Sequence, residues 1–304
     1  MSEQKSRRGL FFFLGGLAGC LTAFIFLFGI VLIAVIVDDE PHRFASDKVA
    51  VVPIEGEILD AREPVELLHK YADNNSVKAI VMRINSPGGA IAPSQEIYEA
   101  VRSTRAKSGK PIVASLDSVA ASGGFYIASA CDEIVANPGS ITGSIGVIMQ
   151  WMDLKDLLAW AKVKPETITS GTMKAAGSPY RELSEAEHTY LQHVSDQLHA
   201  QFIHAVAVGR KGRISEPEIG RIADGRVFTG EEALALKLVD KLGSLDDAIE
   251  LAAKNAKVSG EPGLIYPRKR DRGLLDLMTG SSDAQTVVQR VLGGRGLRFL
   301  YKWN

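Results

Sequence analysis

The chain has 304 residues, of which 46% are apolar, and its 35 Lys and Arg residues against 36 Asp and Glu residues give a formal net charge of −1. This length suits one large domain or two modest ones, and the near balance of charge provides no basic field that would recruit nucleic acid. The two cysteines, Cys20 and Cys131, lie in unlike parts of the sequence, so no intrachain disulfide is expected.

The first predicted element is a transmembrane signal anchor. Residues 9–37 carry no charged side chain, and this run is longer than the roughly 20 residues that a helix needs to cross a bilayer. Basic residues precede the run and acidic residues follow it, so the positive-inside rule predicts a cytoplasmic N-terminus over residues 1–8 and a domain on the extracytoplasmic face of the cytoplasmic membrane. A lipobox-like segment ends at Cys20, but the apolar run continues beyond it, which favours the anchor over lipidation.

Strands and helices alternate after a polar linker over residues 38–47. Apolar strands are predicted over 49–54, 79–84, 111–115 and 133–136, with helices over 64–71 and 94–104. This alternation is typical of a mostly parallel sheet that helices cover on both faces.

Beyond Ser144 the pattern is mainly helical. Three hydroxyl residues, each followed three positions later by a glutamate, predict capping boxes at helix starts: Ser184 with Glu187, Ser215 with Glu218 and Thr229 with Glu232. The first of these helices runs towards residue 207, the third covers 230–238, and another is predicted over 245–254. The sequence leaves the tail over residues 259–304 open between a docking arm, a membrane-surface helix and a disordered segment.

Ser122 lies among residues too small to cover it, in the segment Ala121-Ser122-Gly123-Gly124, and an apolar helix is predicted to follow at once. A serine in this position can present its hydroxyl beside unpaired backbone N–H groups, which is the arrangement that a nucleophile and its oxyanion hole require. The alternative is structural, because small residues also let a helix pack tightly on a sheet. The segment by itself favours neither interpretation.

A serine nucleophile needs a base, and the histidines are poor candidates. None lies between Ser122 and Glu187. The last four are spaced by five, six and five residues on one predicted helix. Zinc-binding histidine pairs on a helix are four positions apart, so this spacing is more typical of a solvated surface. Lys174 is the other candidate, because no acidic residue stands between Glu166 and Glu182. A lysine shielded from water can accept a proton near neutral pH, whereas a solvated loop lysine cannot.

Two glycine-bearing turns accompany the serine. The turn Asn85-Ser86-Pro87-Gly88-Gly89 follows a predicted strand, so its backbone N–H groups can point at an oxyanion. The turn Thr142-Gly143-Ser144 provides a second small hydroxyl. Each turn is weak evidence alone, because most such glycines only permit a positive φ.

Five segments, in order along the chain, resemble motifs of peptidase family S49, the signal peptide peptidase A group of the Clp/crotonase superfamily: residues 84–89, 121–126, 142–147, 170–174 and 224–230. The resemblance covers a protease domain over residues 48–258 and does not extend to the tail. It implies an α/β, Clp/crotonase-like fold of repeated ββα units with a helical extension, preceded by the one transmembrane helix.

The resemblance also implies roles for individual residues. These are Ser122 as nucleophile, Lys174 as general base, Ser144 as the residue that orients the lysine, and the N–H groups of Gly123 and Gly88 as the oxyanion hole, with Gly89 as the alternative to Gly88. No metal or organic cofactor is implied. The family further suggests a ring-shaped homo-oligomer with sites near subunit boundaries, and the dyad is expected either within one subunit or between two.

The function expected from these residues is that of a membrane-anchored serine endopeptidase. Its substrates would be cleaved signal peptides and other hydrophobic peptides at the outer face of the cytoplasmic membrane. Two alternatives stay open: a non-proteolytic membrane scaffold with a crotonase fold, and an acyl-CoA-processing crotonase. The second alternative needs neither Ser122 nor Lys174 and has no use for a membrane anchor.

Overall fold

The computed structural model describes residues 47–267, the backbone of Arg298–Lys302, and Phe24, Phe26 and Phe28. The chain divides into two units, Met1–Ser46 and Asp47–Asn304. The predicted cytoplasmic N-terminus, nearly all of the predicted span over 9–37, the linker as far as Ser46 and most of the tail lie outside the described residues. Within the part that is described, no helix combines the length and the apolar character needed to cross a bilayer.

The described part of the second unit alternates strands and helices. The strands are β1 (Lys48–Glu55), β2 (Val77–Ser86), β3 (Gly88–Ala90), β4 (Ile112–Ala121), β5 (Glu133–Ala136), β6 (Ile141–Gly143), β7 (Ile148–Gln150), β8 (Val227–Thr229), β9 (Lys241–Leu242), β10 (Gly263–Ile265) and β11 (Arg298–Lys302). The helices are α1 (Arg62–Asp73), α2 (Ile91–Ser108), α3 (Gly123–Ala128), α4 (Lys155–Trp160), α5 (Glu185–Gly209), α6 (Glu216–Ile222), α7 (Gly230–Ala235) and α8 (Leu245–Asn255).

The main sheet has the strand order β10-β1-β2-β4-β5-β9, and each neighbouring pair in this order is parallel. β4 is long enough to pair with two strands in succession: residues 113–116 pair with β5, and residues 119–121 pair with β6. β6 in turn pairs antiparallel with β8. A second sheet has the order β3-β11-β7. Because β4 changes partner from β5 to β6, its end lies next to the turn that carries Ser144.

The strands of the main sheet are apolar on both faces because helices cover both faces. Val49 and Val81 belong to a buried cluster completed by α8 on one face. Val52 and Ile84 belong to a larger cluster on the other face, which includes Phe125 of α3. Successive strand residues point to opposite faces, so a strand buried on both sides must be a continuous apolar run. This is the pattern from which the strands were predicted.

The predicted alternation of strands and helices around a mostly parallel sheet is confirmed. One strand was predicted too short, since residues 111–115 mark only the first half of β4. The polar residues Asp117 and Ser118 interrupt the apolar run there, but Asp117 forms an ion pair of 2.8 Å with Arg83 of β2, so the strand continues. The expectation of repeated ββα units stays a prediction.

All three predicted capping boxes are confirmed, at the starts of α5, α6 and α7. A fourth begins α8, where Ser244 pairs with Asp247. This fourth capping box was not predicted because the capping-box sequence pattern has Glu or Gln, rather than Asp, at the third helical position. α7 ends at Ala235, three residues before the predicted end at residue 238. Cys131 is buried and unpaired, while Cys20 lies outside the described residues.

Candidate active site

Ser122 occupies the sharp turn between β4 and α3. Its backbone has φ 51° and ψ −116°, a combination that residues with a Cβ rarely adopt. Its side chain is buried, and the Ser122 Oγ has no hydrogen-bond partner. A buried, unpartnered hydroxyl on strained backbone at a strand-to-helix turn is typical of a nucleophile rather than of a packing residue.

Two backbone hydrogen bonds hold Ser122 in this conformation. The Ser122 N–H donates to the Gly143 carbonyl at 2.8 Å, and the Tyr126 N–H donates to the Ser122 carbonyl at 2.8 Å. The first bond continues the parallel pairing between β4 and β6, in which Ala121 pairs with Gly143. The strained φ is therefore fixed by the sheet on one side and by the first turn of α3 on the other.

Three glycines bring a second stretch of backbone close to Ser122. An ideal Cβ added to Gly123 would lie 3.2 Å from the Gly88 Cα and 3.3 Å from the Gly89 nitrogen, so the two segments touch only because Gly123 has no side chain. A Cβ on Gly89 would lie 2.2 Å from the Ile58 carbonyl oxygen. We call Gly88, Gly89 and Gly123 the glycine cradle. It brings backbone amide groups of two chain segments together beside the serine, as an oxyanion hole requires.

Gly88 and Gly89 differ in what their amide groups contact. The Gly88 N–H donates to the Ser86 Oγ at 3.1 Å. Ile58 bonds to the residues on either side of Gly89, since its N–H donates to the Gly88 carbonyl and its carbonyl accepts from the Ala90 N–H. Because backbone groups alternate along a strand, the Gly89 N–H points away from Ile58. The choice between the two glycines as the second oxyanion donor stays a prediction.

Ser144 lies one residue beyond the carbonyl that accepts the Ser122 N–H. Its own φ is 51°, and its N–H donates to the Arg226 carbonyl at 2.8 Å. It borders a cavity of about 310 Å³ that is lined by Ser144, Gly146, Val147, Ile148, Gln192, Ser195, Asp196, His199, Asp224 and Gly225. The structure thus brings together Ser122, Ser144 and the glycine cradle.

The structure of a single chain does not add Lys174 to the group formed by Ser122, Ser144 and the glycine cradle. It lies exposed in the turn-rich segment after Gly171, to whose carbonyl its N–H donates at 3.1 Å. Within the described residues its amine forms neither a hydrogen bond nor an ion pair, and the Ser122 Oγ is likewise without a partner. The dyad therefore stays a prediction, and the lysine and the serine are not in hydrogen-bond contact here.

Sequence reasoning missed the ion pair that holds the lysine segment. Arg181 donates to the Ala175 carbonyl at 3.1 Å, and its guanidinium also binds both oxygens of Glu187, one of them at 2.7 Å. These bonds and the Ser184 N–H, which donates to Glu187 at 3.0 Å, lower the pKa of the Glu187 carboxyl to about 2. The capping-box pattern marked Glu187 as a helix-start residue, but nothing in the sequence marked Arg181 as its partner.

The four histidines of α5 do not form a metal site. His188, His193 and His204 are exposed, as expected for a solvated helix surface. His199 differs, because it is half-buried beside the cavity that borders Ser144 and its Nε2 has no hydrogen-bond partner. No group of three or more His, Cys, Asp or Glu side chains among the described residues could hold a metal ion.

Two family models match the chain over the site just described. The model for peptidase family S49 matches residues 104–259, which include Ser122, Ser144 and Lys174. The model for Clp protease matches residues 48–140, which include Gly88 and Gly123.

Individual relatives carry the same indication. A candidate protease of Synechocystis sp. is 37% identical over 258 residues, which are 84% of this chain and 90% of that protein. A candidate protease of Methanocaldococcus jannaschii is 34% identical over 218 residues, which are 72% of this chain and 69% of that protein. A candidate signal peptide peptidase SppA of Enterococcus faecium is 34% identical over 199 residues, which are 66% of this chain and 57% of that protein.

The glycine cradle generates the first testable prediction. Gly123→Ala is expected to slow labelling of Ser122 by a serine-reactive fluorophosphonate by about 10-fold or more. The added Cβ would lie 2.6 Å from the Ser94 Oγ as well as close to Gly88, so the cradle must widen. Gly139→Ala is the matched control, since no atom lies within 4 Å of its added Cβ. An unchanged labelling rate in Gly123→Ala would show that the close approach is not needed.

The ion pair at the start of α5 generates the second prediction. Glu187→Gln is expected to lower stability by about 1–3 kcal/mol at about pH 7, measured by thermal unfolding. The ionised carboxylate stabilises the fold fully above its ordinary pKa of 4.5, and this contribution is lost as the pH falls towards the folded value of about 2. The gap between wild type and variant should therefore shrink near pH 3. Glu250→Gln, at an exposed position of α8, controls for the charge change. A gap that is constant with pH would contradict this assignment.

Proposed function

Because this chain belongs to peptidase family S49, we propose that it is a serine endopeptidase in which Ser122 and Lys174 form the catalytic dyad. The observation that carries the proposal is the buried Ser122 hydroxyl, which has no hydrogen-bond partner, stands on strained backbone and directly precedes Gly123 of the glycine cradle. A structural serine would satisfy its hydroxyl, whereas a nucleophile must keep it available.

In the proposed mechanism, the uncharged Lys174 amine removes the Ser122 proton as the Oγ attacks the scissile carbonyl carbon. The resulting oxyanion accepts hydrogen bonds from the Gly123 N–H and from the N–H of Gly88 or Gly89. The tetrahedral intermediate collapses, the peptide C–N bond breaks, and the lysine ammonium protonates the leaving amine. The same lysine then deprotonates a water molecule that attacks the acyl-enzyme, and the Ser144 hydroxyl orients the lysine throughout.

A second copy of the chain is proposed to supply Lys174. The lysine is exposed at the end of segment 151–174. The same segment also exposes several large apolar side chains: Trp151, Met152, Leu157, Trp160, Val163, Ile168 and Met173. Exposed apolar surface of this extent is typical of an interaction site. A head-to-tail contact that closes on itself produces a ring, and each boundary would then unite the serine of one copy with the lysine of the next.

The substrates are proposed to be hydrophobic peptides at the membrane, chiefly the remnants of cleaved signal peptides. The uncharged run over residues 9–37 supports this proposal, because an anchor there holds the protease beside peptides that stay in the bilayer. The charge bias around the run supports an extracytoplasmic catalytic domain. No metal or organic cofactor takes part in the proposed reaction.

The dyad is tested by removing each half of it. Ser122→Ala and Lys174→Ala are each expected to reduce hydrolysis of a fluorogenic apolar peptide by about 10³-fold or more, because neither half works alone. Lys164→Ala is the matched control, as another exposed lysine of the same segment. Near-wild-type hydrolysis by Lys174→Ala would refute the lysine as base, and failure of wild type to react with the fluorophosphonate would favour a non-proteolytic scaffold.

The arrangement between copies is tested by mixing the two inactive variants. Co-assembled Ser122→Ala and Lys174→Ala chains are expected to recover up to about a quarter of wild-type hydrolysis, because some boundaries then unite an intact serine with an intact lysine. No recovery from a co-assembled ring would place both residues in one subunit.

The apolar surface around α4 generates a separate prediction. Trp160 is 82% exposed, and Trp160→Glu is expected to reduce both the assembly size and the rate of peptide hydrolysis, because it places a charge in the proposed contact. Analytical ultracentrifugation in detergent measures the assembly. Tyr266→Glu is the control, since Tyr266 is 53% exposed but lies outside this segment. If Trp160→Glu changed neither the assembly size nor the rate of hydrolysis, the contact between copies would not involve Trp160.

A further inference from the structure

A turn formed by Asp224, Gly225 and Arg226 holds the segment that carries Ser144. The Arg226 carbonyl accepts the Ser144 N–H at 2.8 Å. Directly after the turn, β8 pairs antiparallel with β6. Asp224 and Gly225 also line the cavity of about 310 Å³ that Ser144 borders. The main-chain position of Ser144 therefore depends on where this turn places the Arg226 carbonyl.

The side chain of Asp224 fixes the conformation of the turn. The Arg226 Nε–H is shared between the two Asp224 carboxylate oxygens at 2.8 and 2.9 Å, and the Arg226 backbone N–H donates to Oδ1 at 3.1 Å. These bonds, chiefly those from the arginine side chain, lower the pKa of the Asp224 carboxyl to about 2. Gly225 between them has φ 89°, a conformation that residues with a Cβ rarely adopt.

A contribution to stability does not account for this ion pair. The Asp224 side chain is 50% exposed and the Arg226 side chain is 63% exposed. Exposed ion pairs add little to the free energy of unfolding. The pair also links no two elements of the fold, since its partners are two residues apart. What it fixes is the conformation of Arg226, whose carbonyl accepts the Ser144 N–H.

We propose that Asp224 is a positioning residue for the catalytic base, which acts through the Arg226 carbonyl and Ser144. This inference rests on the proposed function, because it takes the Ser144 hydroxyl as the group that orients Lys174. Ser144 is only 6% exposed and borders the cavity. A hydroxyl that donates a hydrogen bond to an uncharged amine favours the uncharged form, which is the form that can accept the serine proton.

The charge of Asp224 and its positioning role have opposite effects on the base. The titratable or charged groups that line this cavity are Asp196 and His199 of α5 and Asp224, whose carboxylate is paired with Arg226. Removal of a carboxylate favours the uncharged form of a nearby amine, so hydrolysis would persist to lower pH. Displacement of Ser144 disfavours the uncharged form, so hydrolysis would require higher pH. The direction of the change therefore distinguishes the two effects.

The test compares two substitutions of Asp224 in the full chain. Asp224→Ala is expected to lower kcat for the fluorogenic apolar peptide by about 10-fold or more at about pH 7, with KM unchanged. The pH of half-maximal hydrolysis is expected to rise by about 0.5–1 unit. Asp224→Asn loses the charge but keeps an oxygen that accepts the Arg226 N–H, so it is expected to recover most of the wild-type rate. An unchanged or lowered pH of half-maximal hydrolysis in Asp224→Ala would overturn the inference.

The chain offers a matched control at Asp60. This residue accepts the Arg62 backbone N–H at 2.9 Å and the Arg62 Nε–H at 2.8 Å, so it forms the same Asp-x-Arg arrangement. Arg62 is the first residue of α1 and does not bind Ser144, whose N–H donates to Arg226. Asp60→Ala is therefore expected to leave kcat and the pH profile as in wild type. A loss of kcat in Asp60→Ala equal to that in Asp224→Ala would contradict a role specific to Asp224.

Hydrogen exchange separates this inference from the peptidase proposal. Exchange of the Ser144 amide is measured by mass spectrometry at residue resolution in wild type, Asp224→Ala and Asp60→Ala. Exchange about 10-fold faster in Asp224→Ala alone supports the link to Ser144 even if no form hydrolyses peptides. Unchanged exchange would overturn the inference and leave any measured hydrolysis intact. Faster exchange with an unchanged pH profile would make Asp224 a purely structural residue and would also overturn the inference.

Discussion

The hydrogen bond from the Ser122 N–H to the Gly143 carbonyl is the contact on which the geometry of the site depends. It joins the end of β4 to the end of β6 and holds the serine in a conformation that it would not adopt unaided. Because Ser144 directly follows Gly143, the same bond sets the relation between the two hydroxyl residues. The main sheet is thus a structural scaffold that positions a strained turn, and the glycine cradle can approach that turn because no Cβ intervenes.

Much of the fold could be predicted because its determinants are local. A strand buried on both faces must be apolar throughout, so β1, β2 and β5 are recognisable as short apolar runs. Helix starts are recognisable because a capping box needs only a hydroxyl residue and a carboxylate three positions later. Within the site, Ser122 and its neighbouring glycines were identified from the resemblance to family motifs, because small residues around a serine also suit tight packing of a helix. The second half of β4 was not, since Asp117, which interrupts its apolar run, is stabilised by Arg83 on another strand.

What escaped prediction depends on contacts between distant parts of the chain. Arg181 matters because it joins the segment after Lys174 to the first turn of α5, and no periodicity marks such a link. The half-burial of His199 beside the Ser144 cavity follows from how α5 packs, not from its spacing. For the tail, the sequence left several alternatives open. β11 pairs with two distant segments, at Ala90 and at Ile148, so it lacks the hairpin turn by which a strand can be recognised in a sequence. The lack of contact between Lys174 and Ser122 is of the same kind, because the order of motifs along a chain does not fix the distance between their side chains.

The pairing of β10 with β1 has a consequence for how the domain reaches its native state. Lys48, at the start of the domain, pairs with Gly263, near the end of the continuously described chain. Contacts of such long sequence separation slow folding, because a large loop must close before they form. Without β10, the backbone N–H and C=O groups along this edge of β1 would be unpaired. An apolar edge strand of this kind can pair with other chains and lead to aggregation. β10 therefore covers this edge of the sheet along residues 48–50 of β1.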